Sequence, residues 1–225
     1  MCSSPPVELS KKWTSCVRTR SDVEICIRPL RPDDRQREIA FINSLSEQSR
    51  YFRLFTPFKF LPPHLIDQLM DVDYERRMAF VATVERDGVE EFVGIARYGE
   101  TEQQGAAELG VTVADSSQRC GIARLLVTQL MRFARWRGLS HSARMSVSRS
   151  AKYCAWAELA SAASPRSTSF SSANWRMVSS IENRAMLALA ASLGFHASYD
   201  PAQHLVVISR ELADIAVETD RSVVG

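Results

Sequence analysis

The sequence lacks the long apolar run that a membrane-spanning helix requires. No stretch of its 225 residues approaches the roughly 20 consecutive apolar residues of such a helix. Residues 1–20 contain no apolar core of a secretory signal peptide. Excess charge is also nearly absent, since 28 basic and 26 acidic residues leave a formal net charge of +2. That balance gives no argument for nucleic-acid binding, so we expect a cytoplasmic protein with neither a membrane nor a nucleic-acid partner.

Cysteine and histidine are scarce and follow no recognised pattern. The five cysteines are odd in number, and none of them stands in Cys-x-x-Cys spacing. The sequence therefore indicates neither a disulfide framework nor a zinc site. The four histidines share no spacing typical of metal ligands. We expect reduced thiols and no metal cofactor.

Length and composition predict one domain. At 225 residues and 45% hydrophobic content, the chain can bury one substantial core. We predict that the domain spans 13–212, between a disordered polar tail over 1–12 and a frayed tail over 213–225. Alternating apolar residues predict strands, and a period near 3.6 residues predicts helices. The predicted strands of this first part are 13–20, 23–30, 78–86, 91–100 and 106–113, and the predicted helices are 33–45, 47–54 and 62–70.

The turn after the strand at 106–113 has the composition of a phosphate-binding loop. Gln118, Gly121 and Ala123 form a Q-x-x-G-x-A spacing, in which the glycine lets the backbone approach a ligand closely. The amphipathic helix that follows begins with unpaired N–H groups and a partial positive charge. The pattern therefore predicts a pyrophosphate-binding site there, with Arg119 and Arg124 close enough to assist.

Segments on both sides of this loop carry a family resemblance. Downstream stand IENRAM (181–186) and LGF (193–195), and upstream stand IRPLRPDD (27–34), SLSEQSRYFRLFTPF (44–58) and DVDYERRMAFVATV (71–84). Together with the loop they resemble the GNAT superfamily of N-acetyltransferases, and within it the acetyltransferase domain of bacterial Pat-type protein lysine acetyltransferases. The resemblance covers about 13–140 and 175–211. It implies an α/β (α+β) fold with a mixed, mostly antiparallel central sheet flanked by helices.

The resemblance also implies a set of site residues and acetyl-CoA as the cosubstrate. Glu108 matches the general base, since a lysine amine with a pKa of about 10.4 must lose a proton before it attacks a thioester. The alternative for Glu108 is an outward carboxylate at the edge of the sheet. The implied ligands of acetyl-CoA are the backbone amides of Val111, Thr112 and Val113, the loop residues Gln118, Arg119, Cys120, Gly121, Ile122, Ala123 and Arg124, and Asn183. Asn183 also suits the N-cap of the helix that follows it.

Three positions depart from the family pattern. Ala190 stands where many members carry a tyrosine that acts as general acid, so this chain has no tyrosine acid there. A thiolate leaving group, with an ordinary pKa of about 8.5, needs little protonation, and transfer does not depend on that tyrosine. Ser117 replaces a tryptophan or tyrosine, and Cys120 replaces an arginine or glycine. These two changes leave the affinity for acetyl-CoA open, and Cys120 is either a reactive thiol or an inert small residue.

A segment without a counterpart in the family separates the two halves of the resemblance. Residues 141–174 are rich in serine and alanine and contain Glu158 as their one acidic residue. Their length far exceeds the handful of residues expected of a loop. We interpret the segment as an atypical insertion or as the product of two compensating frameshifts. After it, the sequence predicts a strand at 175–181, a helix at 182–193 and strands at 195–199 and 203–210.

Four hypotheses of function follow. The first is an acetyl-CoA-dependent N-acetyltransferase that moves the acetyl group to a protein lysine by direct attack in a ternary complex. The second is the same reaction on a small amine. The third belongs to another class, an acetyl-CoA-binding sensor module with weakened catalysis, which Ala190, Cys120 and segment 141–174 favour. The fourth is a damaged chain. The sequence predicts no oligomeric state.

Overall fold

One mixed β-sheet organises the protein. The computed structural model describes residues 7–18, 22–54, 61–100, 106–137, 174–179, 183–201 and 205–211. Its strands are β1 (Ser15–Arg18), β2 (Glu24–Pro29), β3 (Arg77–Arg86), β4 (Val89–Glu100), β5 (Ala106–Val113), β6 (Asn174–Ser179), β7 (His196–Asp200) and β8 (Leu205–Glu211). Its helices are α1 (Val7–Lys12), α2 (Arg35–Ser44), α3 (Glu47–Leu54), α4 (Pro63–Met70), α5 (Ile122–Trp136) and α6 (Arg184–Ser192). Within these ranges, no helix is both long and apolar enough to cross a membrane.

The sheet confirms the predicted fold class. The strand order is β1-β2-β3-β4-β5-β6-β8-β7. Neighbouring strands are antiparallel except β5 and β6, which are parallel. The strand predicted at 175–181 is β6, and β5 to β6 is therefore the crossover that contains α5. Segment 141–174 lies outside the described residues apart from Asn174, as does the tail over 213–225, so both remain predictions.

Helix α5 covers one face of the sheet. The apolar positions of its inner face are buried, namely Ile122, Leu126, Leu130, Phe133 and Ala134. The helix lies close on β4, because a Cβ placed on Gly94 would come within 3.0 Å of Leu126 Cδ1. This close packing fixes where α5 begins, and with it the loop that precedes the helix.

Helices α2 and α4 cover the opposite face. Arg97 of β4 donates one hydrogen bond to Glu38 Oε1 in α2 at 2.7 Å and another to the carbonyl of Leu69 in α4 at 2.9 Å. Both charged side chains are almost fully buried. Breaking one partner of such a pair leaves an uncompensated charge in the core. The pair therefore ties both helices to the sheet.

The predicted disordered tail over 1–12 is wrong for residues 7–12, which form α1. The helix is followed at once by Trp13, which is buried and packs against the rings of Phe80 and Phe133, with ring centroids 6.1 Å and 5.2 Å away. Burial of this large aromatic side chain stabilises the preceding turn. Tertiary packing thus orders a helix of six residues that local propensity alone does not support.

The prediction of five reduced thiols is wrong for two of them. Cys16 and Cys26 form a disulfide. The register of the β1–β2 hairpin places the two residues directly opposite each other, with their Cα atoms 4.0 Å apart. An odd cysteine count says nothing about such a pair, because the pairing depends on the register of the hairpin. Cys120 is a free, exposed cysteine.

The segment IRPLRPDD (27–34) builds a buried ion-pair cluster. Arg28 binds Asp34 with two hydrogen bonds, from Nη1 to Oδ2 at 2.7 Å and from Nη2 to Oδ1 at 2.8 Å. Its Nε donates to Glu90 Oε1 at 2.8 Å. Asp34 is fully buried and also accepts from the backbone N–H of Arg31 at 2.8 Å. The cluster joins the end of β2 to the β3–β4 hairpin, so this part of the family resemblance has a structural role.

Candidate active site

Strands β5 and β6 separate in the middle of the sheet. Their register holds for three pairs, and the last of these is Glu108 with Arg176. Beyond that pair, β6 continues beside β8, while residues 109–113 continue beside β4. Within the part of the chain that the structure describes, residues 109–113 have no strand partner on the β6 side. The splay leaves one row of β5 backbone groups open to a ligand.

The direction of the β5 amides decides which of them face this gap. The backbone N–H of Ala114 donates a hydrogen bond to the carbonyl of Val93, a residue of β4, at 2.9 Å. Successive amides of a strand point to opposite sides, so the amides of Val111 and Val113 face away from β4. Gln118 Nε2 donates to the carbonyl of Val113 at 3.3 Å from that same side. Two of the three amides implied by the sequence therefore face the gap, and that of Thr112 faces β4.

The loop between β5 and α5 has the shape that its sequence predicts. A short 3-10 helix at Asp115–Ser117 is followed by extended backbone at Gln118 and by left-handed backbone at Arg119 (φ 63°) and Gly121 (φ 81°). Gly121 is the N-cap of α5, and no side chain caps the helix there. A Cβ on Gly121 would meet no atom within 4 Å. The first amides of α5 therefore face open space, as an anion-binding helix N-terminus requires.

The remaining loop residues divide into backbone and side-chain contributors. Ile122 is buried and Ala123 is half-buried, so these two present their backbone amides. Arg119 and Arg124 are exposed, and Arg124 Nη1 donates to the carbonyl of Ser192 at 3.4 Å. Cys120 is exposed, with its Sγ 3.5 Å from the carbonyl oxygen of Gln118. The loop thus combines open amides with two arginines, which suits a pyrophosphate.

Asp115 anchors this loop to α3, a role that the sequence did not predict. The carboxylate accepts from Ser46 N at 2.8 Å, from Ser46 Oγ at 2.8 Å and from Ser49 Oγ at 2.7 Å. Burial raises the pKa of Asp115, but these hydrogen bonds outweigh burial and hold the pKa below its ordinary value. Gln118 Nε2 completes the cluster, 3.3 Å from Ser49 Oγ. Ser46 and Ser49 therefore hold the loop in place.

Glu108 lies on β5 where the gap begins, and Asn183 follows β6 in the chain. Glu108 stands opposite Gly99 of β4 and beside Arg176, at the point where the two strands begin to separate. Asn183 is the N-cap of α6, and its side chain accepts a hydrogen bond from Met186 N at 3.1 Å. The N-cap role predicted for Asn183 is confirmed. Ala190 of the same helix is 1% exposed, so a tyrosine side chain does not fit at that position without displacing the core.

No metal centre accompanies these residues in the described ranges. Those residues contain no group of three or more histidine, cysteine or acidic side chains arranged to hold a metal ion. Among the described residues, the groups available to a ligand are the gap between β5 and β6, the two β5 amides that face it and the N-terminus of α5. They suit a ligand with an extended arm and a pyrophosphate.

A splayed, mostly antiparallel sheet with an open loop before the next helix is the arrangement of the GNAT class of acetyltransferases. The model of the acetyltransferase (GNAT) family matches residues 44–152. Acetyltransferase PA5475 of Pseudomonas aeruginosa is 38% identical to this chain over 186 residues, which are 83% of the chain and 82% of that relative. The chain therefore belongs to the GNAT family of acetyltransferases and is an N-acetyltransferase.

Solved structures show the same fold at lower identity. The GNAT domain of S. lividans PAT has a TM-score of 0.68 and 19% identity, and the match covers 92% of this chain and 99% of that one. An N-acetyltransferase from Staphylococcus aureus Mu50 has a TM-score of 0.52 and 15% identity, with 84% and 98% covered. Both similarities support the fold. The predicted family is confirmed by the family model and by the similarity to acetyltransferase PA5475.

Proposed function

We propose that this protein transfers the acetyl group of acetyl-CoA to a protein lysine by direct attack within a ternary complex. The observation that carries the proposal is the order of groups along β5. Glu108 lies where the gap begins, the free amides of Val111 and Val113 lie along it, and the loop at Gln118 lies beyond its end. The five residue steps from Glu108 to Val113 span about 17 Å of extended strand. An extended arm bound along that edge places its two ends at the loop and near Glu108.

The residues present fit acetyl-CoA. The uncapped N-terminus of α5 and the open space beside Gly121 suit the pyrophosphate. The edge of β5 suits the amide groups of the pantetheine arm, because these form hydrogen bonds as a neighbouring strand does. Bound there, acetyl-CoA supplies an activated acetyl thioester. Asn183, at the start of α6, is proposed as a further contact to the arm.

Three groups of this chain would assist the transfer. Glu108, directly or through a water molecule, accepts the proton that the lysine amine must lose. The amide of Val111, the nearer of the two to Glu108, donates a hydrogen bond toward the oxygen on which negative charge develops, and the amide of Val113 binds the arm. The buried Ala190 leaves no tyrosine acid at its position, which a thiolate leaving group tolerates because its ordinary pKa is only about 8.5.

The choice of a protein acceptor rests on the sequence. The segments at 44–58 and 71–84 resemble Pat-type protein acetyltransferases, and the first of them contains α3, which contacts the cofactor loop through Ser46 and Ser49. A small amine is the second candidate acceptor. The sensor module with weakened catalysis is the third candidate, favoured by Cys120 in the loop. A cytoplasmic location remains part of the proposal.

Incubation with radiolabelled acetyl-CoA and a cell lysate tests the proposal. We expect label in protein bands, and release of that label only under conditions that cleave an amide. Label confined to small molecules would favour the small-amine reaction, and binding without any transfer would favour the sensor. The Glu108→Gln variant serves as the control, because it should bind acetyl-CoA as the wild type does and transfer little label.

A further inference from the structure

A buried arginine of α3 lies against β5 beside the gap. Arg53 is 9% exposed, and its guanidinium covers Gly110, the glycine in the middle of the splayed part of β5. A Cβ on Gly110 would be 3.0 Å from Arg53 Nη1 and 3.2 Å from Arg53 Cζ. The guanidinium occupies this position because residue 110 has no side chain.

No partner balances the charge of Arg53 in the described part of the chain. Neither a hydrogen bond nor an ion pair reaches its guanidinium there, although other buried arginines such as Arg28 and Arg97 have carboxylate partners. Burial removes most of the hydration of this side chain without a carboxylate in exchange, while the guanidinium nitrogens keep some contact with solvent. A site that keeps such a group is suited to an anion that arrives from outside.

A second unpartnered polar atom lies on the same side of β5. Thr112 Oγ1 is buried and has no hydrogen-bond partner among the described residues. Thr112 follows Gly110 by two residues, and residues two apart on a strand share a face. The neighbours Leu109, Val111 and Val113 alternate with them and are buried in the hydrophobic core. Arg53 and Thr112 thus provide a guanidinium and a hydroxyl group on one face of the splayed strand.

Arg53, which lies over Gly110, is nearer to the proposed acceptor site than to the proposed phosphate site. Gly110 is two residues from Glu108, which corresponds to about 7 Å along the strand. The phosphate-binding loop begins at the other end of β5, and its own arginines, Arg119 and Arg124, are exposed. An anion at Arg53 is therefore carried by the acceptor amine, whose nitrogen must come close to Glu108.

We propose that Arg53 and Thr112 bind a carboxylate of the acceptor, so that the enzyme prefers amines that carry a carboxylate a few bonds from the nitrogen. This inference rests on the proposed acetyl transfer and deepens it. Guanidinium and carboxylate match in a two-point hydrogen bond, and a nearby hydroxyl adds a third donor. The carboxylate belongs either to an acidic residue next to a lysine in a protein or to a free amino acid.

Matched acceptors that differ by one carboxylate test the proposal. The protein arm compares blocked peptides containing Lys-Glu and Lys-Gln, and the small-molecule arm compares lysine with cadaverine. We expect kcat/KM of the wild type to favour the carboxylated member of at least one arm by about 10- to 100-fold, the range of a hydrogen-bonded charge pair. The arm that shows the preference identifies the source of the carboxylate. Equal rates within both arms would overturn the proposal.

Variants show whether Arg53 causes the preference. Arg53→Gln should abolish it by lowering kcat/KM of the carboxylated acceptor alone, and Arg53→Lys should restore part of it. Arg50→Gln, three residues earlier in α3, is the matched control and should keep the preference. Thr112→Val should reduce the preference several-fold. If Arg53→Gln instead lowers the rates of both acceptors equally, or shifts their pH profiles equally, Arg53 does not bind the acceptor carboxylate and the proposal fails.

Binding of products separates this inference from the proposed function. Nε-acetyl-lysine and N-acetylcadaverine differ by one carboxylate, and their binding requires no catalysis. We expect titration calorimetry with the wild type and CoA to show tighter binding of Nε-acetyl-lysine, and Arg53→Gln to remove the difference. Absence of acetyl transfer with this preference intact would contradict the proposed function alone. Equal binding of the two products by the wild type would contradict the carboxylate site.

Discussion

Substitution of Gly121 tests the proposed cofactor loop at a position with left-handed backbone. The φ of 81° lies in the left-handed region, where an L-residue is disfavoured, and an added Cβ would meet no atom within 4 Å. Gly121→Ala therefore introduces backbone strain without a clash. We expect this strain to lower the free energy of unfolding by about 1–2 kcal/mol. For a chain of this length, that loss corresponds to a fall in Tm of about 2–8 °C.

Gly88 provides the matched control for this strain. It also has left-handed backbone (φ 74°) with nothing within 4 Å of an added Cβ, but it lies in the turn between β3 and β4. We expect Gly88→Ala to lower Tm by a similar amount. The two variants should differ in ligand binding, because only the Gly121 methyl group points into the space proposed for the pyrophosphate. Thermal unfolding with and without acetyl-CoA separates the strain from the loss of binding.

The expected shifts are large enough to measure. Acetyl-CoA at about 100 times its dissociation constant adds about 2.7 kcal/mol of stability, which corresponds to a rise in Tm of about 5–11 °C for the wild type and for Gly88→Ala. Gly121→Ala should show a clearly smaller rise. Gly121→Glu, which adds a negative charge, should show none. Equal rises in Gly121→Ala and Gly88→Ala would refute a pyrophosphate site beside Gly121.

Three further predictions concern the scaffold. Asp34→Ala leaves the buried Arg28 with Glu90 as its remaining carboxylate partner. We expect this variant to lower the free energy of unfolding by about 3–5 kcal/mol, measured by denaturant unfolding. A loss below about 1 kcal/mol would contradict the structural role of the ion-pair cluster. The hydrogen bond from Arg28 lowers the pKa of Glu90 from 4.5 to about 2. The ionised Glu90 therefore contributes fully to stability above pH 4.5, and this contribution is lost as the pH falls toward 2. Glu90→Gln should therefore be less stable than the wild type at neutral pH, with a gap that narrows in acid, and a gap independent of pH would exclude this pairing. Reduction of the Cys16–Cys26 disulfide should lower Tm, because it removes up to about 3 kcal/mol from the free energy of unfolding. The Tm of the Cys16→Ser/Cys26→Ser double variant should not change with reductant. An unchanged Tm of the wild type after reduction would argue against the disulfide.

Patterns that act within a few residues could be read from the sequence. The amphipathic pattern after the loop predicted a helix there, and the apolar face of α5 is buried because it packs on the sheet. The strands predicted at 78–86 and 91–100 form the β3–β4 hairpin, and both residues of its turn, Asp87 and Gly88, adopt positive φ. The Gln118 to Ala123 spacing predicted an open loop before a helix. Each of these features depends on local backbone geometry.

Contacts between distant segments could not be read in this way. Asp115 binds Ser46 and Ser49, more than 60 positions earlier in the chain, and no local pattern marks a carboxylate for that role. Arg53 lies over Gly110 because α3 packs on β5, which only the assembled sheet determines. Helix α1 forms because the adjoining Trp13 is buried in the core, and the helix propensity of its six residues alone is too weak. The parts of the site formed by local backbone, such as the loop before α5, could therefore be predicted from the sequence. The contacts made by side chains of distant segments could not.

The pH dependence of acetyl transfer in the wild type and in Glu108→Gln tests the central claim most directly. CoA release is measured with a lysine peptide as acceptor, from about pH 6 to about pH 10, so that the series reaches the ordinary pKa of the amine. We expect Glu108→Gln to lower turnover by about 10²-fold or more near neutral pH, with unchanged affinity for acetyl-CoA. The deficit should shrink as the pH rises, because the free amine then no longer needs a base. Wild-type turnover by Glu108→Gln at neutral pH would contradict the proposed base, and no transfer by the wild type to any amine would contradict the proposed reaction.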